Sequence, residues 1–276
     1  MKVLGFIITI VTAIFLVYAT VDFPPWADPQ SPASTHLSPH YIEKTMEETS
    51  VPNIVTAVLA DYRGYDTMFE TTVIFAAGVV CFFLLRIFKK KKTEQRLYRH
   101  LPSGITIRIK GGAKILPDLA EFERIDTQWT PHDLIIKTTC RLLIPFIQLF
   151  ALYVIAHGHH SPGGGFQGGV ILGASIILLA IAYDMRTALG RMSETVHSLL
   201  CAIGVLIYAG TGAVCLLLGL NFLDYSALAT ILGVDPVMAR SHGILIVEIG
   251  VGIAVMATMV WIYSNVASAG KYDEGL

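Results

Sequence analysis

Long apolar runs separated by short polar stretches set the pattern of this chain. The first covers residues 3–18 and reaches about 21; the second covers about 68–88. Four more follow, at 134–156, 168–183, 196–220 and 243–263. Each comes close to the roughly 20 helical residues that cross a bilayer core. The pattern predicts an all-α membrane protein with about six transmembrane helices, two in the first part of the chain and four in the second. Lys137 and Arg141 lie near the start of the third helix, and Pro145 is expected to kink it.

The intervening stretches are distinct. Residues 22–50 carry Pro24, Pro25, Pro29, Pro32 and Pro39 and read as a loop on the membrane surface. Residues 54–60 are apolar but too short to span. Lys89, Lys90, Lys91 and Lys92 end the second helix, and 91–130 reads as a short, basic cytoplasmic linker. Within it Ile105 to Ile109 alternates like a short strand, before Gly111 and Gly112. Residues 224–241 read as a loop. The expected organisation is a unit at 1–90, the linker, and a four-helix domain at 131–276.

Composition sharpens this. Hydrophobic residues make up 54% and charged residues 15% of the chain, against about 25% charged in a soluble domain. A soluble enzyme is excluded. Of the 20 Lys and Arg residues, only Lys44, Arg63 and Arg240 fall outside if the amino terminus is cytoplasmic. The positive-inside rule then predicts a multi-pass cell-membrane protein with both termini cytoplasmic. The tetralysine run favours anionic lipid headgroups and does not require nucleic acid. Cys81, Cys140, Cys201 and Cys215 lie in or beside apolar runs without CxxC spacing, and read as small packing residues. No phosphate loop, nucleophile–base pair or cofactor motif is present, so no cofactor is expected.

Two motifs carry information. The first runs His157-Gly-His159-His160-Ser-Pro162-Gly163-Gly164-Gly165-Phe-Gln167-Gly168-Gly169 between two apolar helices. Its glycines permit a tight reversal or a close helix approach, and Gly169 and Gly173 have GxxxG spacing. Alternatively, Pro162, Gly163, Gly164 and Gly165 form irregular backbone lining a hydrated ion path, with His157 as a proton relay. The three histidines lack a fourth ligand, and no metal site is expected. The segment from Asp133 through Asp184, with Arg141-Leu-Leu-Ile-Pro145 and HGHHSPGGGFQGG, closely resembles the MnhB domain, which forms the B-type subunit of the Mrp-type multisubunit sodium/proton antiporters. The related subunit of membrane-bound hydrogenases looks the same. The run from His242 through Glu248, Gly250 and Gly252 fits the same domain, and the resemblance covers about 130–265.

The second motif, Val55 through Glu70, places Asp61, Arg63 and Asp66 before a membrane helix. Thr67 and Glu70 have capping-box spacing, and Arg63 pairing with Asp61 or Asp66 could be local folding glue. The stretch resembles the carboxy-terminal end of the large A-type subunit of the same antiporters, carried in hydrogenase-type complexes by a separate small MbhE-like subunit. The chain thus looks like two neighbouring subunits fused through the linker.

Glu248 is the most informative residue. A charge within a spanning helix costs about 2.5–3.5 kcal/mol on insertion scales. It serves either an ion path or a protonated packing contact, for which Gly250 and Gly252 leave room. Glu248, Glu70, Asp66 and His157 are the ion-path candidates. The resemblance implies a non-catalytic subunit of a cation/proton antiporter, whose partners are other subunits, Na+, H+ and lipids. The alternatives are the same subunit in a redox-driven membrane complex, or a purely structural scaffold.

Overall fold

The computed structural model describes residues 2–87, 96–109, 121–124, 134–183 and 185–268. It is all-α in character, and among the described residues six helices are long and apolar enough to cross a membrane. The tetralysine run, Gly111, Gly112 and Asp184 lie outside the described residues.

The chain forms two compact units, residues 1–47 and 48–276. In the first, helix α1 (Lys2–Ala19) has an apolar window of which no part is buried. A π-helical turn, Ala33–Leu37, leads into α2 (Ser38–Thr49). Residues 22–50 are therefore not wholly a loop. Pro39 falls in the first turn of α2, where a missing amide hydrogen costs nothing.

The second unit holds α3 (Ile54–Ala57), a π-helical turn (Val58–Tyr62), α4 (Gly64–Ile87), α5 (Leu134–Ala156), α6 (Gly165–Ala182), α7 (Met185–Arg191), α8 (Glu194–Leu217), a 3-10 turn (Tyr225–Leu228), α9 (Ala229–Leu232) and α10 (Pro236–Ala267). The strand expected near 105–109 is β2 (Thr106–Ile109). It pairs antiparallel with β1 (Arg96–His100), which also pairs with β3 (Phe122–Arg124).

Helix α10 is central: 72% of its most apolar window is buried, against 11% for α4 and 22% for α5. It lies parallel to α6, with Gly169 against Gly252 and Gly173 against Met256. It lies antiparallel to α8, where Gly204 meets Gly250 and Ala254. A methyl group on Gly204 would come within 2.6 Å of the Gly250 carbonyl oxygen. The α4 face joins through Gly78 against Thr258 and Trp261, and through Phe82, whose ring centroid is 5.5 Å from that of Trp261.

Several helices begin earlier than hydropathy indicates, because polar caps extend them past the apolar run. Asp235 accepts from the Val237 amide at 3.1 Å and Pro236 opens α10, two turns before Gly243. Gln167 accepts from the Gly164 amide at 3.1 Å, so α6 opens at Gly165. Helix α4 opens at Gly64. Thr67 is therefore inside α4 and not its cap. Its hydroxyl donates to the Leu59 carbonyl at 2.8 Å, and the expected Thr67–Glu70 capping box does not form. Helix α5 runs on through Pro145.

Candidate functional site

The site is built around the crossover that precedes α4. Asn53 starts it, because its side-chain oxygen caps α3 by accepting from the Val55 amide at 3.1 Å. Its amide group donates to the Gly158 carbonyl at 2.9 Å and to the Ser161 carbonyl. The Asn53 backbone amide donates to the His159 carbonyl at 2.9 Å, and Thr56 donates to the Gly158 carbonyl at 3.0 Å. The crossover is thereby tied to the glycine-rich break between α5 and α6. At its other end Tyr225 donates to the Ala60 carbonyl and Tyr208 to the Gly64 carbonyl, both at 2.9 Å. The Ala60 carbonyl in the π-helical turn and the Gly64 carbonyl at the start of α4 thus each have a buried hydroxyl donor.

One ion pair spans the same region. Arg240 on α10 holds Asp61 with two hydrogen bonds, of 2.8 and 3.0 Å. It also lies 5.7 Å from the centre of the Tyr62 ring, whose hydroxyl donates to Glu48 at 2.6 Å. Burial raises the Asp61 pKa above the ordinary value; Arg240 opposes the shift, while Asp224 and Glu48 add to it. Burial lowers the His159 pKa, helped by His160 and His242.

Beneath the crossover sits Glu248, 8% exposed. The Gly165 amide and the Thr56 hydroxyl adjoin its carboxyl group. Its Oε2 has no hydrogen-bond partner among the described residues. Three glycines of the break leave space for this residue. A Cβ on Gly164 would collide with Glu248 Oε1, and one on Gly158 would come within 2.7 Å of Oε2. A Cβ on Gly165 would strike the Glu248 backbone. The carboxyl faces a cavity of about 340 Å³ whose wall also contains Glu70, Asn53, Thr67, Gln167 and Tyr208.

The structure brings some of the sequence candidates together. Glu248, Glu70, Pro162, Gly163, Gly164 and Gly165 all line this one cavity. Asp66 and His157 do not. Asp66 is exposed and accepts from Arg63 at 2.6 Å. His157 stacks on Tyr153, with centroids 4.9 Å apart, and neighbours His160. Asp61 pairs with Arg240 instead of Arg63. Among the described residues no group of three or more His, Cys, Asp or Glu could hold a metal ion. Sequence reasoning missed Asn53, Thr56, Tyr208 and Arg240. Asn53 carried a usable signal, a capping residue before a short apolar run. The others are recognisable only once their distant partners are in place.

Comparison with known proteins gives a consistent result. The profile of a domain related to the MnhB subunit of Na+/H+ antiporters matches residues 135–261. The profile of MbhE, a subunit of MBH, matches 7–98. The B-type subunit of the Na+/H+ antiporter of Bacillus subtilis is 38% identical over 96 residues, covering 34% of this chain and 66% of that protein. A Staphylococcus epidermidis protein named antiporter subunit mnhB2 is 30% identical over 137 residues, 46% of this chain and 94% of that protein. Two solved structures share the fold. A chain of the archaeal membrane-bound sulfane sulfur reductase has a TM-score of 0.59 at 24% identity, over 96% of this chain and 97% of that one. A chain of the Mrp complex of Dietzia sp. has a TM-score of 0.58 at 21% identity, over 99% of this chain and 26% of that one.

Proposed function

We propose, from the premise that this chain belongs to the MnhB family of Na+/H+ antiporter subunits, that it is a membrane subunit of a multisubunit cation/proton antiporter and that its cavity is a cation–proton exchange site. The observation that carries this reading is Glu248: 8% exposed, with one carboxylate oxygen unpartnered among the described residues, on the wall of a cavity that also holds Glu70.

The physical logic is that of exclusive occupancy. An uncompensated carboxylate at this depth is unfavourable by several kcal/mol. A proton relieves it by neutralisation, and a cation relieves it by pairing. Either one makes the other redundant, so departure of a proton favours arrival of Na+ and the reverse. That competition is the elementary requirement for exchange. The cavity has room for on the order of ten waters at about 30 Å³ each, so a cation can approach with part of its hydration shell. Glu70, higher on the wall, would attract it. The Asn53, Thr56 and Tyr208 oxygens could replace lost waters.

In this reading both termini are cytoplasmic, which puts the cavity at the outer end of the bundle. Asp66 and His157 lie outside the cavity and would act, if at all, at its approach. Residues 1–90 correspond to the neighbouring unit and 131–276 to the MnhB domain, joined by 91–130. The proton-pumping machinery belongs to partner subunits, and this chain does no covalent chemistry.

The test is Glu248→Gln in the assembled complex, assayed as Na+-dependent proton movement in everted vesicles. Transport is expected to fall at least tenfold while the subunits still co-purify. Normal transport in that variant would remove Glu248 from the path. A second reading, the same subunit in a redox-driven complex, is favoured by one observation: the fold likeness to the sulfur reductase chain runs nearly end to end in both. Identification of the subunits that co-purify with the native protein separates the two.

A further inference from the structure

The cavity beside Glu248 is not enclosed. Of its lining residues, Val55, Leu59, Glu70, Pro162, Phe166 and Gln167 are exposed and mark its mouth, while Glu248 is 8% exposed. The crossover supplies one edge of this mouth, α4 a second, and the glycine-rich break with the start of α6 a third. The lining holds two carboxylates, Glu70 and Glu248, and no Lys, Arg or His. Glu248 Oε2 is buried without a hydrogen-bond partner among the described residues. No ion pair among the described residues includes Glu70.

Depth decides what can cover this mouth. Glu70 follows Gly64, the first residue of α4, by 70 − 64 = 6 positions, about 9 Å along the axis. The Gly64 carbonyl already accepts from the buried Tyr208 hydroxyl, so Glu70 lies inside the span and not at a frayed end. Ionisable groups at such positions face protein or water and not acyl chains. Beyond Glu70 the outward face of α4 is apolar. Val73, Ala77, Val80 and Leu84 follow it at three- and four-residue steps, and all are exposed. Ala76 is exposed beside Ala77, and two small residues in mid-helix let another helix come close. Lipid against this face would suit the stripe but leave Glu70 in hydrocarbon. Bulk water would suit Glu70 but not the stripe. A second helix with a positive charge at the right level satisfies both.

We propose that a transmembrane helix of a neighbouring subunit lies along Val73, Ala77, Val80 and Leu84 of α4, closes the mouth of the cavity, and sets a lysine or arginine against Glu70. Charge complementarity fixes the chemistry of this partner, because the wall carries two acids and no base. The apolar edge residues Val55, Leu59 and Phe166, 55%, 42% and 45% exposed, would be covered with it. An entering cation then competes with the partner's side chain for Glu70, and Glu248 is left as the carboxylate without a fixed counter-charge. The proposal rests on the chain being one subunit of a larger membrane complex, and not on ion exchange at Glu248.

The experiment places the photo-cross-linker p-benzoylphenylalanine at Ala77 of the full chain, irradiates the purified complex, and maps the cross-linked peptide by mass spectrometry. The expected product is one transmembrane segment of a partner subunit with a lysine or arginine toward its outer end. Cross-links to lipid alone, or to a segment without such a residue, overturn the proposal. This mapping keeps Glu70 intact, so it stands however Glu70 variants fold. Glu70→Lys should then cut the cross-link yield at least ~10-fold, since like charges brought together oppose docking. Replacing the partner's basic residue with glutamate in the same complex should restore the yield. An undiminished yield in Glu70→Lys, or no recovery in the exchanged pair, overturns the pairing. Glu248→Gln should leave the cross-link as it is, whatever it does to transport, so failure of the exchange reading and failure of this one are told apart.

Discussion

At the scale of single residues, the glycines around Glu248 are the sharpest constraint. Gly164 leaves space for the carboxylate, whereas Gly165 leaves space for the α10 backbone itself. The two should therefore fail differently. Gly165→Ala pushes a methyl group against main chain that cannot yield, and overpacking of this kind costs about 1–3 kcal/mol. Its melting temperature in detergent should fall clearly. Gly164→Ala meets a side chain that can rotate, so the fold should survive with a smaller shift, while transport drops as the carboxylate is displaced. Equal melting losses in both variants would contradict this division. His159 makes a separate prediction about pH. Its folded pKa is depressed by burial. Between that value and the ordinary 6.5 the unfolded chain binds more protons than the native one. The stability contributed by neutral His159 is thus present above pH 6.5 and lost as pH falls through the folded pKa. His159→Gln should flatten the acid side of the stability profile, read as melting temperature against pH from 7 to 5.

At the scale of elements, the crossover before α4 depends on contacts made far away in sequence. Asp61 and Arg240 are 179 residues apart and share two hydrogen bonds, with the Asp61 side chain 7% and that of Arg240 25% exposed. Removing one partner of a buried pair costs about 3–5 kcal/mol, because the other charge is stranded; partial exposure of Arg240 places this pair toward the lower figure. Asp61→Ala and Arg240→Ala should each destabilise strongly. The exchange Asp61→Arg with Arg240→Asp should recover part of the loss, and a thermal shift series on the four proteins measures it. No recovery would mean that the local environment, not the pairing, sets the stability. This pair also shows what could be read in advance and what could not. The six spans were legible because each is written in local hydropathy. Glu248 was legible because a charge in such a run is anomalous, and the glycine run because so many glycines signal close approach. What the glycines approach is a matter of tertiary register, so nothing near His157 to Gly169 identified Glu248 as the occupant. The charges at Asp61 and Asp66 invited local pairing with Arg63. Only one of them does that, because α10 begins at Pro236 and carries Arg240 up to the crossover.

At the scale of the whole molecule, the two family matches, 7–98 and 135–261, fall on either side of a linker. In space the boundary is elsewhere, because residues 48–87 pack into one compact unit with the helices from 134 onward. The bonds that join them are noncovalent and numerous: Asn53 and Thr56 to Gly158, Tyr208 to Gly64, Tyr225 to Ala60, and Asp61 to Arg240. The apolar contact of α4 on α10 at Phe82 and Trp261 adds to these. If this interface is self-sufficient, the peptide link between the two parts contributes mainly effective concentration, the term that tethering supplies. A protease site inserted after Gly112 and cleaved in the detergent-solubilised protein should then leave both fragments bound to each other. The melting temperature should change by only a few degrees. Combining the cut with Asp61→Ala should release the fragments, since the loss of the buried pair is no longer compensated by the tether. Separation of the fragments on cutting alone would show that the linker, and not the crossover, holds the two parts of the chain together.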